Sequence, residues 1–273
     1  MQDIHTGFQD LNQTTDTDEF FQFLDAANAL ESVRACREKM AELCPPAIGQ
    51  RILDVGCGIG HSTLALARLV GPSGAVIGLD KSETLISEAR RRATEASAPV
   101  AYHVGDARHL DFNSATFDVC RTERVLMYVD QPERALDEML RVLRPGGMFA
   151  SFEFDYDGIV VDAPDRSFTR RVVRVVSDSI PNPWIGRQLP RLLRERGIRN
   201  ITVIPHMILT PYAMYCRVVS GTLAHAVQSG EIPSAELNDW WQALEDAEAA
   251  GHFFAGFPGF LVCGRIERDR ERR

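Results

Sequence analysis

The chain has 273 residues, 45% of them hydrophobic and 25% charged, which suits one large globular domain or one domain with a cap. Its formal net charge of -8 argues against a general nucleic-acid binder, which carries a basic excess. The six cysteines are scattered without metal-ligand spacing, and no apolar run approaches the roughly 20 residues that span a bilayer. No signal peptide is visible, so we expect a soluble, cytoplasmic protein with reduced thiols and no membrane partner.

The first segment with a helical period is FFQFLDAANALESVRACREKMAEL, which begins at Phe20. Its apolar residues recur at the spacing of amphipathic helices. The stretch CPPAIGQ (44–50) then interrupts the helical pattern with prolines and a glycine. We therefore predict an N-terminal helical cap over residues 1–48 and a main domain over residues 49–273.

Strands and helices alternate after the cap. Strands separated by helices of about ten residues predict right-handed βαβ crossovers and a parallel sheet, with ligands beyond the carboxyl ends of its strands. The turns GPSG (71–74) and RPGG (144–147) are expected to end a helix and lead into the next strand. The helical patterns cover residues 61–70, 83–94 and 132–143, and the strand candidates are Ile52–Val55, Ala75–Asp80, Val100–Val104, Phe117–Thr122 and Met148–Phe154.

The stretch ILDVGCGIG (52–60) joins the first strand to the first helix of this alternation through a glycine-rich turn. The dinucleotide fingerprint G-x-G-x-x-G requires two residues between its second and third glycines, whereas only Ile59 separates Gly58 from Gly60. No Walker A lysine follows, so a triphosphate is not supported either. The alternative for Gly56, Gly58 and Gly60 is a plain βα turn.

Acidic residues at the predicted sheet edge favour an adenosyl ligand without phosphate. Asp54, two residues before the turn, would repel a pyrophosphate but favours an ammonium or sulfonium group. Asp80, at the end of the second strand, is placed to accept hydrogen bonds from both ribose hydroxyls. Asp106 follows the third strand at the adenine end, where an acceptor takes the exocyclic amine; a turn or helix cap is its alternative role.

Five motifs in order, ILDVGCGIG, VIGLDKS, VGDARHL, FDVCRTERVLMYV and LRVLRPGGMFA, resemble those of class I S-adenosylmethionine-dependent methyltransferases. The similarity is to the small-molecule group that includes the ubiquinone and menaquinone C-methyltransferases (methyltransferase type 11), and it covers about residues 50–155. It implies S-adenosylmethionine as cofactor and S-adenosylhomocysteine as product. It also implies an α/β, Rossmann-like fold with a seven-stranded, mostly parallel sheet in the order 3-2-1-4-5-7-6, the last antiparallel.

The resemblance assigns roles to residues at the carboxyl edge of the sheet. Gly56 and Gly58 let the backbone approach the methionine part, Asp80 holds the ribose, and Asp106 with Ala107 holds the adenine. Thr122 and Glu123 line the other side of the cofactor. The candidate cofactor-binding residues are Asp54, Gly56, Cys57, Gly58, Gly60, Asp80, Lys81, Asp106, Ala107, Thr122 and Glu123.

Two further strand candidates, NITVIPHMIL (200–209) and FLVCGRIER (260–268), flank a helical insert at about residues 211–252. This insert and the N-terminal cap can both roof the carboxyl edge. Methyl transfer needs an apolar, dry pocket because the sulfonium loses its charge in the transition state. Ordinary core packing also accounts for any single aromatic residue. The candidates for the substrate pocket are Tyr128, Met127, Trp184 and Phe257.

Glu123, Glu153 and Asp155 map to the carboxyl edge as candidate general bases, and the last two point to the same face of the fifth strand. His206, on a strand candidate, is a further candidate, with a structural role as its alternative. Methyl transfer requires no nucleophilic side chain, because holding the two reactants together supplies much of the rate. Paired carboxylates can instead hold magnesium, but the acidic pattern of metal-dependent methyltransferases is not evident, so we expect no metal.

The predicted function is transfer of a methyl group to an O, N or C atom of a small, largely apolar metabolite, such as a secondary metabolite or a quinone-like molecule. An alternative is a protein of the same fold that binds S-adenosylmethionine without transferring the methyl group, as a cyclase-like enzyme or a regulator. A tRNA or protein methyltransferase is a third class, for which only the arginine-rich segment from Arg166 to Arg196 offers a basic surface. We therefore expect a small-molecule partner and no nucleic acid.

Overall fold

One mixed sheet organises the computed structural model, which describes residues 17–267. Its strands are β1 (Arg51–Val55), β2 (Ala75–Asp80), β3 (Val100–Val104), β4 (Phe117–Glu123), β5 (Leu143–Phe154), β6 (Val160–Val161), β7 (Thr202–Leu209) and β8 (Ala255–Arg265). The first five run parallel in the order β3-β2-β1-β4-β5, and β8 pairs antiparallel with β5 along one edge and with β7 along the other. The longer strands thus follow the predicted order 3-2-1-4-5-7-6, and the Rossmann-like fold class is confirmed.

The short strand β6 was not predicted. It has only two residues, which pair with Gly256 and Ala255 at the start of β8. Two residues show no alternation of apolar and polar side chains, so the sequence carries no signal for this strand. It makes the observed sheet eight-stranded over the described residues.

The helices have three positions relative to the sheet. Two precede it in the predicted cap, three are crossovers between parallel strands, and the others lie between β6 and β8. In chain order they are α1 (Thr17–Ala29), α2 (Glu31–Leu43), α3 (His61–Val70), α4 (Glu83–Glu95), α5 (Pro132–Arg141), α6 (Arg166–Asp178), α7 (Ile185–Glu195), α8 (Tyr212–Gln228) and α9 (Ser234–Ala249). Residues 1–16 of the predicted cap and residue 268 of the last strand candidate lie outside the described range.

Local sequence accounts for several of these elements. Ile52, Leu53 and Val55 of β1 are almost fully buried, as expected of a continuous apolar strand inside a parallel sheet. Helix α4 follows Ser82, whose hydroxyl accepts the backbone N–H of Leu85 at 3.3 Å. Helix α5 begins with a proline, whose fixed φ suits the first turn. No helix within residues 17–267 is both long and apolar enough to cross a bilayer.

The segment RPGG (144–147) differs from its predicted role as a turn between helix and strand. Helix α5 ends at Arg141, and β5 already begins at Leu143, which pairs with Phe117 of β4. The register then shifts between Phe117 and Val119, and Gly146 has a φ of 82°. The predicted strand start at Met148 is therefore too late, because the proline and glycines form an irregularity inside the strand.

Candidate active site

A cavity of about 650 Å³ lies at the carboxyl ends of β1, β2 and β4. Its walls come from the glycine turn after β1, from α1 and α2 of the cap, and from α8 of the insert. The volume is in the range of small-molecule sites. Its place agrees with the rule that open α/β sheets bind ligands beyond the carboxyl ends of their strands.

The glycine turn forms one wall of the cavity. Gly56 has a φ of 72° and Gly58 a φ of 55°, a left-handed conformation that glycine adopts without strain. A Cβ atom on Gly56 would lie 2.2 Å from a side-chain carbon of Val125, whereas one on Gly58 would meet no atom within 4 Å. Because Gly58 lines the cavity, its backbone is open to close approach by a ligand. Gly60 lies outside the lining, against the hydroxyl of Tyr102.

Asp80 ends β2 at the edge of the cavity, where backbone groups hold its carboxylate. Oδ2 accepts the N–H of Gly58 at 3.0 Å, and Oδ1 accepts the N–H of Ser82 at 3.0 Å. Burial raises the pKa of Asp80, and these two hydrogen bonds oppose that shift. Cys57 and Lys81 line the same region, and burial raises the pKa of the Cys57 thiol well above its ordinary value.

Asp106 and Ala107 line the cavity next to the end of β3. The carboxylate of Asp106 accepts the backbone N–H of Arg108 at 2.8 Å and a guanidinium N–H of the same residue at 2.6 Å. The hydrogen bond from the Arg108 side chain lowers the pKa of Asp106. The structure thus brings Asp80 and Asp106, predicted to lie at the ribose and adenine ends, to one cavity.

A partly buried cluster of two carboxylates and three arginines adjoins the glycine turn; its members are Asp54, Glu123, Arg37, Arg121 and Arg124. Glu123 accepts two hydrogen bonds from Arg37, at 2.8 and 3.0 Å, and pairs with Arg121 at 2.9 Å and with Arg124 at 3.1 Å. Burial would raise the pKa of Glu123, but the three arginines hold it below its usual range.

Asp54 is the second carboxylate of this cluster and lies 3.2 Å from Nε of Arg121. Burial raises the pKa of Asp54 to about 6, although the charge of Arg121 opposes the shift. With three arginines to two carboxylates, the cluster has a surplus positive charge when all its members are ionised. Asp54 therefore does not present an isolated negative charge to a ligand.

Glu153, a predicted base, is fully buried in β5 and lies outside the cavity lining. Its carboxylate accepts backbone N–H groups of Val125 at 3.1 Å, Leu126 at 3.0 Å and Met127 at 3.4 Å. Burial raises the pKa of Glu153 to about 7, against the effect of these hydrogen bonds. The carboxylate is thus occupied by the turn after β4.

Four other predicted site residues also lie outside the cavity lining. Asp155 pairs with Arg187, and Thr122 is fully buried in β4. His206 donates from Nε2 to the carbonyl oxygen of Ser32 at 2.7 Å. Trp184 is 46% exposed and donates to the carboxylate of Asp157. The structure therefore does not bring these side chains to the cavity. Among residues 17–267, no group of three or more His, Cys, Asp and Glu side chains is arranged to hold a metal ion.

A further part of the wall, which we call the apolar half, carries only uncharged side chains, whereas Arg108 and Asp130 line the cavity outside it. It includes the predicted substrate-pocket residues Met127, Tyr128 and Phe257. The cap contributes several side chains that the sequence did not single out, among them Phe23 and Leu24 of α1. Their helical spacing predicted a helix but not the surface on which it packs. The apolar half comprises Phe257 and the lining residues within 23–33, 127–128, 154–156, 181–182 and 208–218.

His61 also lines the cavity and was not predicted as a site residue. Its Nε2 lies 2.7 Å from a carboxylate oxygen of Asp25 in α1, which accepts hydrogen bonds from Arg92 of α4 at 2.7 and 2.9 Å. An ionised carboxylate only accepts, so Nε2 of His61 donates. Burial lowers the pKa of His61 and favours the neutral ring. The three side chains join the cap to the first two crossover helices.

Comparison with known proteins identifies the family. Residues 53–151 match the family model of a methyltransferase domain. The chain is 36% identical over 247 residues to an uncharacterized 37.1 kDa protein in transposon TN4556 of Streptomyces fradiae. This alignment covers 89% of our chain and 70% of the Streptomyces protein. The chain is 33% identical over 150 residues to demethylmenaquinone methyltransferase of Staphylococcus carnosus (strain TM300). The chain belongs to the class I S-adenosylmethionine-dependent methyltransferases.

The match to the demethylmenaquinone methyltransferase is partial, spanning 55% of this methyltransferase chain and 59% of that enzyme. Two solved structures share the fold more broadly. Phosphoethanolamine N-methyltransferase 2 of Haemonchus contortus, in complex with S-adenosyl-L-methionine, aligns with a TM-score of 0.60 at 17% identity, over 96% of this chain and 60% of that one. The (4+2)-cyclase SpnF aligns with a TM-score of 0.55 at 22% identity, over 86% and 81%. A methyltransferase fold therefore accompanies more than one chemistry.

Proposed function

We propose that this methyltransferase transfers a methyl group from S-adenosylmethionine to an O, N or C atom of a small, largely apolar molecule. The observation that carries the proposal is the composition of the cavity. One side is a glycine turn with Asp80 and Asp106 and without a phosphate-binding fingerprint, and the other is the apolar half. This composition supports adjoining places for a nucleoside cofactor and an apolar acceptor in one cavity.

The residues present fit the cofactor. Gly58 leaves open space where its backbone meets the cavity, and Asp80 holds a fixed carboxylate for the ribose hydroxyls. Asp106 and Ala107 would hold the adenine. The surplus positive charge of the arginine–carboxylate cluster, to which Arg37 and Arg124 belong, suits the methionine carboxylate. When bound, S-adenosylmethionine supplies an electrophilic methyl group on a sulfonium.

The chain's own contribution to the reaction is orientation and exclusion of water. Glu123 reaches the cavity, but its three arginine partners depress its pKa and make it a weak proton acceptor. Glu153 and Asp155 are engaged elsewhere. Holding the acceptor and the methyl group in line within an apolar wall supplies rate without a general base.

A second candidate keeps the cofactor but not the transfer. It is favoured by the fold likeness to the cyclase SpnF, which aligns over most of both chains. In that case the bound sulfonium would serve only as a fixed charge beside the apolar half. Methylation of tRNA or protein has less support, because Arg171, Arg187 and Arg196 of the arginine-rich segment are paired with carboxylates.

Two measurements test the proposal. Heat denaturation of the purified protein should release S-adenosylmethionine or S-adenosylhomocysteine, and either compound added to the protein should bind at micromolar or lower concentration. Incubation with methyl-labelled S-adenosylmethionine and a panel of phenols, quinols and amines should place label in an organic product. Binding without labelled product from any acceptor would favour the second candidate, and release of a dinucleotide instead would exclude both.

A further inference from the structure

Part of the arginine-rich segment, which the proposed function does not use, lines a second cavity. This cavity has a volume of about 820 Å³ and lies beside α6, the short strand β6 and the start of α9. It shares no lining residue with the candidate active site. Four arginines of α6 line it, namely Arg166, Arg170, Arg171 and Arg174.

Three of these arginines, which we call the arginine row, have no partner in the fold; they are Arg166, Arg170 and Arg174. All three are exposed, and their side chains form no ion pair or hydrogen bond with the part of the chain that the structure describes. Their spacing of four residues places them on one face of α6, about 6 Å apart along the helix axis. Like charges at this spacing destabilise a helix, so the row does not contribute to the stability of α6.

Three carboxylates also line the second cavity, and each already has its own hydrogen-bond donors. Asp157 accepts a serine hydroxyl at 2.5 Å and an indole N–H at 2.6 Å. Asp165 caps α6 by accepting a backbone N–H of its first turn at 2.9 Å. Glu236 of α9 pairs with Arg171 at 2.6 Å. An anion at the arginine row would therefore displace none of these contacts.

Apolar surface adjoins the arginine row. The lining includes both residues of β6 and Phe168 of α6. Trp184 and Phe254, at 46% and 49%, are the only exposed Phe, Tyr or Trp side chains within residues 17–267, and both lie next to this lining. The indole N–H of Trp184 donates to Asp157, and Phe254 directly precedes Ala255, which pairs with β6.

The arginine row and its surroundings select the chemistry of a ligand. A guanidinium group binds a carboxylate or a phosphate through two parallel hydrogen bonds. A cation would be repelled by the row, and a neutral molecule would make no use of its charge. The volume is in the range of about 300–1,000 Å³ that small-molecule sites have. The apolar lining then favours an anion that also carries an apolar part.

We infer that the second cavity is a further ligand site, which binds a small organic anion. The carboxylate or phosphate group of this anion lies on the arginine row, and its apolar part packs against β6 and Phe168. The site does not depend on the proposed function, because the two cavities have no lining residue in common. It gives the chain a second small-molecule partner.

Calorimetric titration with matched probes at pH 7 tests this inference. The probes 2-naphthyl phosphate and 2-naphthoate carry the two kinds of anionic group on the same apolar body, and the tighter of them identifies the preferred group. Inorganic phosphate and acetate carry these groups without the body and should bind about tenfold more weakly or less. Saturating S-adenosylhomocysteine should leave the affinity of the tighter probe unchanged.

Removal of charge from the arginine row should weaken binding of the tighter probe. A double variant, Arg170→Gln with Arg174→Gln, alters two exposed side chains and should raise its dissociation constant about tenfold or more. Arg68→Gln removes an exposed arginine without an ion pair from α3 and is the matched control, with no change expected. Affinity for the uncharged 2-naphthol should be the same in the native chain and the double variant. The urea unfolding midpoint shows whether each variant is folded.

Several outcomes would overturn this inference. They are absence of saturable binding of both naphthyl anions, an affinity that survives the double variant, an equal loss in Arg68→Gln, or displacement of the anion by S-adenosylhomocysteine. Inorganic phosphate or acetate that binds as tightly as the naphthyl anions would overturn the apolar part of the assignment. None of these results bears on the proposed function, which depends on binding of S-adenosylhomocysteine and on labelled product.

Discussion

The carboxylate of Glu153 accepts backbone N–H groups from three consecutive residues of the turn after β4. Two of these residues, Val125 and Met127, line the cavity. The side chain of Asn182 holds the same turn from the other direction, by donating to the carbonyl oxygens of Leu126 and Val129 at 3.0 and 2.7 Å. A buried carboxyl group on β5 thus sets the position of a cavity wall without reaching the cavity itself.

The buried position of Glu153 predicts a pH-dependent stability. Its pKa rises from an ordinary 4.5 to about 7 on folding, so the folded state binds the proton more tightly than the unfolded state. The stabilisation is complete below pH 4.5 and is lost as the pH rises through 7. Relative to Glu153→Gln, which does not titrate, the native chain should lose about 2 kcal/mol of unfolding free energy between pH 5 and pH 8.

Urea unfolding of the native chain and of Glu153→Gln at both pH values measures this difference. Glu83→Gln, a substitution of an exposed glutamate in the first turn of α4, is the control for a general effect of losing a carboxylate. If the difference in unfolding free energy between the native chain and Glu153→Gln is the same at pH 5 and pH 8, the raised pKa assigned to Glu153 is wrong.

Asp80 should matter for cofactor affinity and Glu153 much less. Asp80→Ala removes the carboxylate placed for the ribose hydroxyls and should weaken binding of S-adenosylhomocysteine about ten- to a hundredfold, as expected for charged hydrogen bonds. Asp80→Asn keeps one acceptor oxygen and should lie between the native chain and Asp80→Ala. Isothermal titration gives the three dissociation constants. Equal losses in Asp80→Ala and Glu153→Ala would contradict this division of roles.

A paired arginine is one of the contacts that join the cap to the sheet. Arg37 of α2 makes two hydrogen bonds with Glu123 at the end of β4, a contact between residues 86 positions apart in sequence. Removing one partner of a buried ion pair costs about 3–5 kcal/mol when the other is left uncompensated, but Glu123 keeps Arg121 and Arg124. Arg37→Met should therefore lower the unfolding free energy by about 1–2 kcal/mol.

Lys39→Met is the matched control for this substitution. Lys39 lies on the same helix and pairs with Glu42, but both side chains are exposed, so the change should be within about 0.5 kcal/mol. Denaturant unfolding of both variants makes the comparison. If Lys39→Met is as destabilising as Arg37→Met, the cluster does not anchor the cap.

Local patterns were sufficient to predict most of the strands and the glycine turn, but they did not predict β6, the start of β5 or the side-chain pairs. The bounds of α3 and of β2 agree with the predicted ones because an apolar period and its flanking turn residues are contiguous in sequence. The arginine partners of Glu123 come from α2, from β4 and from the residue after β4. Which charges meet depends on how the cap packs on the sheet, and no local pattern records that packing. Glu123 and Glu153 therefore looked alike in sequence and differ in the fold.

Three parts of the molecule together line the candidate site. The sheet contributes the glycine turn and the strand ends, the insert contributes α8, and α1 of the cap packs against both. Phe20 of α1 is in one apolar cluster with Ile59 of the glycine turn, and Phe23 is in another with Met214 of α8. A ligand in the cavity thus contacts the cap directly, and opening of α1 should break those contacts.

Hydrogen exchange should show this coupling between the ligand and the cap. S-adenosylhomocysteine at about 100 times its dissociation constant stabilises the closed, ligand-bound state by about 2.7 kcal/mol. If an opening of the protein requires release of the ligand, hydrogen exchange through that opening should slow about a hundredfold. Backbone amides of α1 should show this slowing. Helix α9 contributes no lining residue, so its local openings should be unaffected. Mass spectrometry of peptides from both helices makes the comparison within one sample. If exchange slows equally in α1 and α9, or does not slow in α1, the ligand does not hold the cap closed.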